Sequence, residues 1–192
     1  MFLSMLTPEK NYKNKIAKSQ RVSEKSKINS LIKDLVSKDG HLQREAREAL
    51  AFIGKPAVPP LIALLKDPDD DVRWEAAKAL ALISDPCAVP ALVEALEDHN
   101  FGVRWIAADG LVNIGREALP PLLKALIERS SSAILRNGAH HVLYGLGKRG
   151  LKDLVAPLLA ALEGAEPEVE VLGSAYSALD RLRGPGTARS AN

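Results

Sequence analysis

The sequence predicts an all-α protein built as an α-solenoid, a right-handed superhelix of antiparallel helix pairs with about four to five repeats. One apolar pattern recurs along the chain, and within each copy it follows the helical period. Proline and glycine stand where paired helices would begin and end. The composition agrees, because apolar residues make up 46 % of the chain and aromatic residues only 4 %. Such a balance favours helices packed through small and γ-branched side chains over a β-sandwich.

The repeat is clearest in two copies of one segment. Val72-Arg73-Trp74 returns 31 residues later as Val103-Arg104-Trp105. Weaker copies cover residues 42–54 and 135–147, and a last partial copy covers residues 171–182. A second segment rich in proline and leucine follows each of the first four copies, beginning at Pro56, Pro86, Glu117 and Leu154. Each repeat is therefore two segments long.

Both segments are predicted to be helices. Val72, Ala76 and Leu80 have the i, i+4, i+8 spacing of one helical face. Signals for helix ends surround the segments: acceptors at the start of the first helix, glycines at its end, and prolines at the start of the second. The acceptors are Asp69, Asp70 and Asn100, the glycines are Gly54, Gly115 and Gly147, and the prolines are Pro56 and Pro86.

Stacking of successive pairs is expected because one pair cannot bury its apolar face alone. Alanines at one repeat position should let neighbouring helices approach closely, and leucines of the second helices should lie in the core. The alanines are Ala76, Ala107 and Ala139, and the leucines are Leu61, Leu92, Leu122 and Leu158.

The predicted organisation has three parts. Residues 1–25 form a basic, flexible leader, residues 26–183 form the solenoid with a capping helix over 26–37, and residues 184–192 form a disordered tail. Residues 1–38 hold nine Lys or Arg against three Asp or Glu, whereas the whole chain has a net charge of only +2.

The segment VRWEAAKALALI followed by PALVEALE resembles the short bacterial HEAT-like repeats, the type first grouped with phycobilin lyases. The resemblance spans roughly residues 27–183. It implies the solenoid fold, but such repeats serve many unrelated roles. A resemblance to deoxyhypusine hydroxylase would imply iron bound by His-Glu pairs, and no histidine here precedes a glutamate. HEAT-like DNA glycosylases, also similar, would imply a basic concave face.

The second helices of such solenoids line the concave face, and their exposed positions carry mixed charges. Mixed charges suit a protein partner better than a phosphate backbone. The predicted protein-binding residues are Lys66, Glu94, Glu97, Lys124, Ile127 and Glu163. The alternative interpretation is a solvated face without a ligand.

Two further positions recur between repeats. Trp74 and Trp105 are each expected to pack against the neighbouring repeat, with a binding role as the alternative. Arg73, Arg104 and Arg136 lie near helix N-termini, where a cation is disfavoured. They are therefore expected to form a structural ladder with acceptors among Asp67, Asp70, Asp71 and Asp98.

The sequence predicts no catalytic residue, cofactor or metal site. His140 and His141 are adjacent and should point in different directions, His140 partly buried and His141 exposed. The single cysteine, Cys87, lies near a helix start where a thiolate is favoured, but the sequence shows no base to activate it.

The predicted function is a non-enzymatic scaffold or adaptor that binds a protein on its concave helix face. The alternatives are a subunit or chaperone of a bilin lyase-type enzyme, and a nucleic-acid binder acting through the basic residues 1–27. One cysteine fits a reducing compartment. Without an apolar run near the ~18 residues of a membrane span, a cytoplasmic location without a membrane span is expected.

Overall fold

The computed structural model describes the backbone of residues 8–183 and the side chains of residues 22–183. The described backbone forms ten α-helices. They are α1 (Pro8–Leu35), α2 (Gly40–Ile53), α3 (Val58–Leu64), α4 (Asp70–Ile83), α5 (Val89–Ala95), α6 (Phe101–Ile114), α7 (Leu119–Glu128), α8 (Ala133–Leu146), α9 (Lys152–Leu162) and α10 (Pro167–Arg183). No helix in this part of the chain combines the length and the apolar character needed to cross a lipid bilayer.

The helices pair and stack as a solenoid, which confirms the predicted fold. The first helices α2, α4, α6 and α8 pack in one row. The second helices α3, α5 and α7 pack beside them, and α9 pairs with α8. The predicted core leucines and the three alanines of the first helices are completely buried. Each helix pair therefore buries its apolar face against its neighbours.

The first helices begin at the predicted acceptors. Asp69 caps α4 by accepting from the Asp71 N–H at 3.0 Å, and Asn100 caps α6 by accepting from the Gly102 N–H at 2.8 Å. Gly54 and Gly115 follow α2 and α6 with positive φ angles, as predicted. Gly147 does not, because α8 runs on into a π-turn and the positive φ falls at Gly150.

The second helices start slightly later than predicted. Pro56 and Pro86 lie in short 3₁₀ turns, and the α-helices begin at Val58 and Val89. Proline is tolerated in these 3₁₀ turns because it has no backbone N–H, so no hydrogen-bond donor lacks a partner there. The prediction was thus close in position but wrong about the helix type.

The two ends of the solenoid differ from the prediction. Helix α1 begins at Pro8, well before the predicted capping helix over 26–37, and its residues Ile28 and Leu35 are buried. Whether residues 1–25 are flexible stays a prediction, and the predicted tail 184–192 lies outside the described residues.

Helix α10 is not the first helix of a fifth pair. It packs against α7 and α9 instead of extending the row of first helices along α8. Its buried residues Val171, Ala175 and Ala178 are small and share one face. This narrow face fits closely onto the second helices, and α10 therefore covers part of the layer that was predicted to bind a partner.

A buried ion pair joins the first two repeats. Arg47 of α2 donates to the Glu75 carboxylate of α4, and both side chains are about nine-tenths buried. Each charge depends on the other, because an unpaired charge in the interior is strongly unfavourable.

We expect Arg47→Met to lower the free energy of unfolding by about 3–5 kcal/mol, because Glu75 would remain buried without its partner. Urea denaturation followed by circular dichroism measures this. Arg47→Met combined with Glu75→Leu is the control, and it should recover most of the loss. A single variant as stable as the parent would show that water reaches Glu75.

Gly145 marks the closest approach between α8 and α6. A Cβ added there would lie 2.6 Å from Cγ2 of Val112, a β-branched side chain that is itself buried. By contrast, a Cβ at Gly173 in α10 would meet no atom within 4 Å.

We therefore expect two Gly→Ala substitutions to act in opposite directions. Gly145→Ala should lower the free energy of unfolding by about 1–3 kcal/mol through overpacking. Gly173→Ala should raise it by about 0.5–1 kcal/mol, because alanine costs less backbone entropy within a helix. Both are measured by thermal and urea denaturation. If both variants were stabilised, α6 and α8 would not be in fixed contact.

Candidate functional site

The six predicted protein-binding residues do not form one surface. Lys66 lies exposed in the turn after α3, and Glu163 follows α9, where its Oε1 lies 2.7 Å from His140 Nε2. Glu94 and Lys124 are exposed on the second helices α5 and α7, as predicted, and Ile127 is half-buried against the core.

Arg129 ties two of the three acidic residues of this set, Glu94 and Glu97, to the next repeat. Its Nη2 donates to Glu94 Oε1 at 3.0 Å, and its Nη1 donates to Glu97 Oε2 at 2.5 Å. Glu97 also accepts from the Ser132 hydroxyl. Glu97 is therefore held in an internal network, whereas the sequence predicted an exposed position for it.

Helix α10 forms one wall of a groove over the second helices. This second-helix groove has a volume of about 850 Å³ and runs between α5, α7 and α10. It brings together three predicted residues, Glu94, Lys124 and Ile127, and adds Tyr176 and Leu179 from α10. Lys66, Glu97 and Glu163 do not line it.

A second groove lies between the first helices α6 and α8. We call it the aromatic groove and define it by Phe101, Trp105, Ile134, Asn137, His141 and Tyr144. Its volume is about 410 Å³. Phe101 is 65 % exposed, Trp105 47 % and Tyr144 53 %, although all three are large apolar rings. The predicted second-helix surface does not include this groove.

Helical spacing explains why these side chains share one face. Phe101 and Trp105 are four residues apart on α6, while Ile134, His141 and Tyr144 are separated by seven and three residues on α8. Ala108 and Gly138 line the groove between them with little or no side chain. Two ridges of large side chains therefore flank a low floor.

Ring contacts and carboxylates hold the walls of the groove in place. Trp105 and His141 meet edge to face with centroids 4.3 Å apart, and Phe101 lies 5.9 Å from Trp105. His141 Nε2 lies 3.1 Å from Asp109 Oδ1, which orients the imidazole. The ring of His140 stacks beside Tyr144. The groove is thus largely formed before any ligand binds.

The predicted arginine ladder exists in one repeat and is broken in the next. Arg73 Nε donates to Asp98 Oδ2 at 2.7 Å, and its Nη2 donates to Asp70 Oδ1 at 2.5 Å. The Asp98 hydrogen bond raises the pKa of Arg73. Hydrogen bonds from Asn100 and then Arg73 lower the pKa of Asp70. These shifts mark a structural network in which both charges are satisfied.

Arg104 occupies the same repeat position as Arg73 but lacks its carboxylate partners. Phe101 and Arg129 stand 31 residues after Asp70 and Asp98, so both carboxylates of the ladder are missing. Arg104 Nη1 donates to the carbonyls of Asp98 and His99 at 2.8 and 3.0 Å, as Arg73 Nη1 also does to the equivalent carbonyls of its own repeat. Its guanidinium carbon lies 5.5 Å from the centre of the Phe101 ring. Arg136 likewise donates to a carbonyl, that of Ser130.

The two tryptophans also diverge. Trp74 is partly buried against the core, with Lys78 Nζ 4.2 Å from its ring centre, much as predicted. Trp105 is half-exposed in the aromatic groove, which favours the binding alternative for this residue. His140 is partly buried as predicted, but His141 was predicted to be exposed and is also partly buried, with its side chain 29 % exposed against 39 % for His140. Phe101 could have been noticed in the sequence, since it replaces an aspartate of the preceding repeat.

The remaining chemical groups have ordinary surroundings. A hydrogen bond with the Asp85 carboxylate raises the pKa of the Cys87 thiol, so its thiolate is disfavoured, contrary to the expectation from its place near a helix start. Among the described side chains, no three His, Cys, Asp or Glu residues converge as metal ligands.

Comparison with known proteins identifies the repeat type in part of the chain. A family model for HEAT repeats matches residues 58–144, and a model for the PBS lyase HEAT-like repeat matches residues 42–67. A search of curated proteins found no significant match.

Solved structures with the same architecture include a phycocyanin lyase component. The complex of CpcE and CpcF of phycocyanin lyase from Nostoc sp. PCC7120 matches with 25 % identity and a TM-score of 0.51, over 78 % of this chain and 98 % of that chain. An engineered protein matches with 26 % identity and a TM-score of 0.44, over 79 % and 77 % of the two chains. A designed armadillo repeat protein in complex with peptide (KR)4 matches with 23 % identity and a TM-score of 0.40, over 83 % and 84 %.

The repeated helix pairs, their stacking in one row and the two family models all identify the same architecture. Residues 42–144 of the chain consist of HEAT-like repeats, and the chain is similar to the short HEAT-like repeat proteins.

Proposed function

We propose that this protein is a non-enzymatic interaction module that binds a protein partner in the aromatic groove between α6 and α8. The observation that carries the proposal is the exposure of Phe101, Trp105, Ile134 and Tyr144 side by side. Single exposed apolar residues are ordinary, but a contiguous patch in a concave site is typical of a binding surface.

The energetic argument rests on the aromatic side chains. Burial of apolar surface contributes roughly 25 cal/mol per Å². A partner that covers the half-exposed tryptophan and tyrosine rings therefore gains a large favourable binding free energy. Both residue types are enriched among the residues that dominate binding energies. The groove walls belong to helices that are packed in the core, so little order is lost on binding.

The second-helix groove is proposed as an additional surface. Glu94, Lys124 and Ile127 line it, and these were predicted from their exposed repeat positions. Arg129 already neutralises Glu94, and α10 fills one side of the groove. We therefore assign the principal contact to the aromatic groove.

A second candidate function is that of a bilin lyase subunit. The match to the CpcE–CpcF complex favours it, because that protein is a phycocyanin lyase of two components and the match covers nearly all of the matched chain. It also agrees with a protein partner, since the matched chain was solved in a complex. A bilin bound by the purified protein would appear as visible absorbance.

The test of the proposed function is affinity capture with matched variants. The parent chain, Trp105→Ala with Tyr144→Ala, and the control Phe52→Ala are used as bait in the same lysate. Phe52 is an exposed aromatic residue on α2, remote from the groove.

We expect one protein to bind the parent and Phe52→Ala and to be lost, by at least tenfold, from the groove variant, because rings at an interface centre carry most of the affinity. Quantitative mass spectrometry measures the recovery, and circular dichroism checks that all baits are folded. Equal recovery by all three baits would rule out the groove as the binding site.

A further inference from the structure

We infer that the aromatic groove takes an amphipathic helix that carries large apolar side chains along one face and carboxylates near both ends. This inference rests on the protein-binding role proposed above and specifies the chemistry of the partner. It is carried by two cations at the groove ends and by the shape and polarity of the space between them.

Arg104 supplies the cation at one end. Only its Nη1 is used within the described part of the chain, on two backbone carbonyls, and no carboxylate there forms an ion pair with it. The equivalent Arg73 is paired with two carboxylates. Since guanidinium can donate five hydrogen bonds in a fixed fork, Arg104 keeps donors for a carboxylate from outside.

Lys148 supplies the cation at the other end. It follows Tyr144 by one helical turn, and its Nζ lies 4.5 Å from the centre of the Tyr144 ring. In the described residues it too has no carboxylate partner. The two acidic residues at the groove border, Asp109 and Glu163, are instead contacted by His141 and His140. The lining between the two cations is thus mostly apolar, and a cation stands at each end of the groove.

The shape of the groove favours a helix over an extended segment. From Ile134 to Tyr144, α8 rises about 15 Å, which corresponds to about three turns of a docked helix. An extended segment would bring unpaired N–H and C=O groups against Phe101, Trp105 and Ile134, whereas a helix satisfies its own backbone. Carboxylates at both helix ends then complement Arg104 and Lys148.

A single-stranded nucleic acid fits the groove less well. Aromatic rings could stack on bases, but a phosphate backbone places negative charge along the whole length of the site. Asp109 and Glu163 border the groove and would repel it.

The test uses synthetic probes, because these change the charge of the ligand without altering the protein. Three labelled helical peptides of about three turns share leucines along one face and differ only at their ends, which carry glutamate, glutamine or lysine. A labelled single-stranded RNA is the fourth probe. Fluorescence anisotropy measures each dissociation constant at low and high salt, on the full chain.

We expect the glutamate probe to bind more tightly than the glutamine probe, by about fivefold for each cation engaged, and high salt should remove this difference. Arg104→Gln with Lys148→Gln should abolish the preference for glutamate and leave the glutamine probe unaffected. The control Arg116→Gln removes an exposed cation outside the groove and should change nothing. Trp105→Ala should weaken both probes by at least tenfold.

Several results would overturn the inference. These are tighter binding of the lysine probe or the RNA, failure of all three peptides to bind, and dimerisation of the chain that is lost in Trp105→Ala. Groove-dependent capture of a protein from lysate, combined with any of these results, would leave the proposed function standing and reject only this partner chemistry. Failure of the capture experiment alone would instead count against the proposed function.

Discussion

The close packing of the first helices against one another is the constraint on which the rest of the structure depends. Ala76, Ala107 and Ala139 are fully buried along this row, and Gly145 lets α8 approach Val112 of α6. No helix pair can bury such a surface alone, so every repeat is stabilised by its neighbours. The tight approach also fixes the spacing of the outward-facing side chains, which is why two helices from different repeats can form one groove.

The third repeat shows how a repeated scaffold acquires a site. Phe101 and Arg129 stand where the second repeat has Asp70 and Asp98. Phe101 places an aromatic ring in the aromatic groove. Because Phe101 and Arg129 replace the two aspartates, Arg104 has neither of the carboxylate partners that Arg73 has. The new Arg129 binds Glu94 and Glu97 instead, which draws those acids into the scaffold. Two substitutions at equivalent positions thus alter both faces of the solenoid.

The two grooves differ in the partner that each could accept. Helix α10 packs on α7 and α9 and forms one wall of the second-helix groove, so a helix of the same chain already covers part of the apolar surface there. Within the described residues, the lining of the aromatic groove comes from the two stacked helices α6 and α8, and its large rings stay half-exposed. A protein that bound both could bridge the two layers, as expected of a scaffold with two separate surfaces.

The sequence by itself determined the repeat, the helix pairs, the N-caps at Asp69 and Asn100 and the core positions, because all of these follow from local spacing and capping chemistry. The sequence did not determine the position of α10. The narrow apolar face of α10 can pack on either layer of helices, and the tertiary contacts that each layer offers determine which one it covers. The sequence pattern also led to a candidate site on the second helices, because the exposed positions there recur with the repeat and can be read from the sequence. The aromatic groove depends on Trp105 and His141, which meet across 36 residues of sequence. Similarly, the engagement of Glu97 by Arg129 depends on how the repeats stack, and no local pattern in the sequence encodes such contacts.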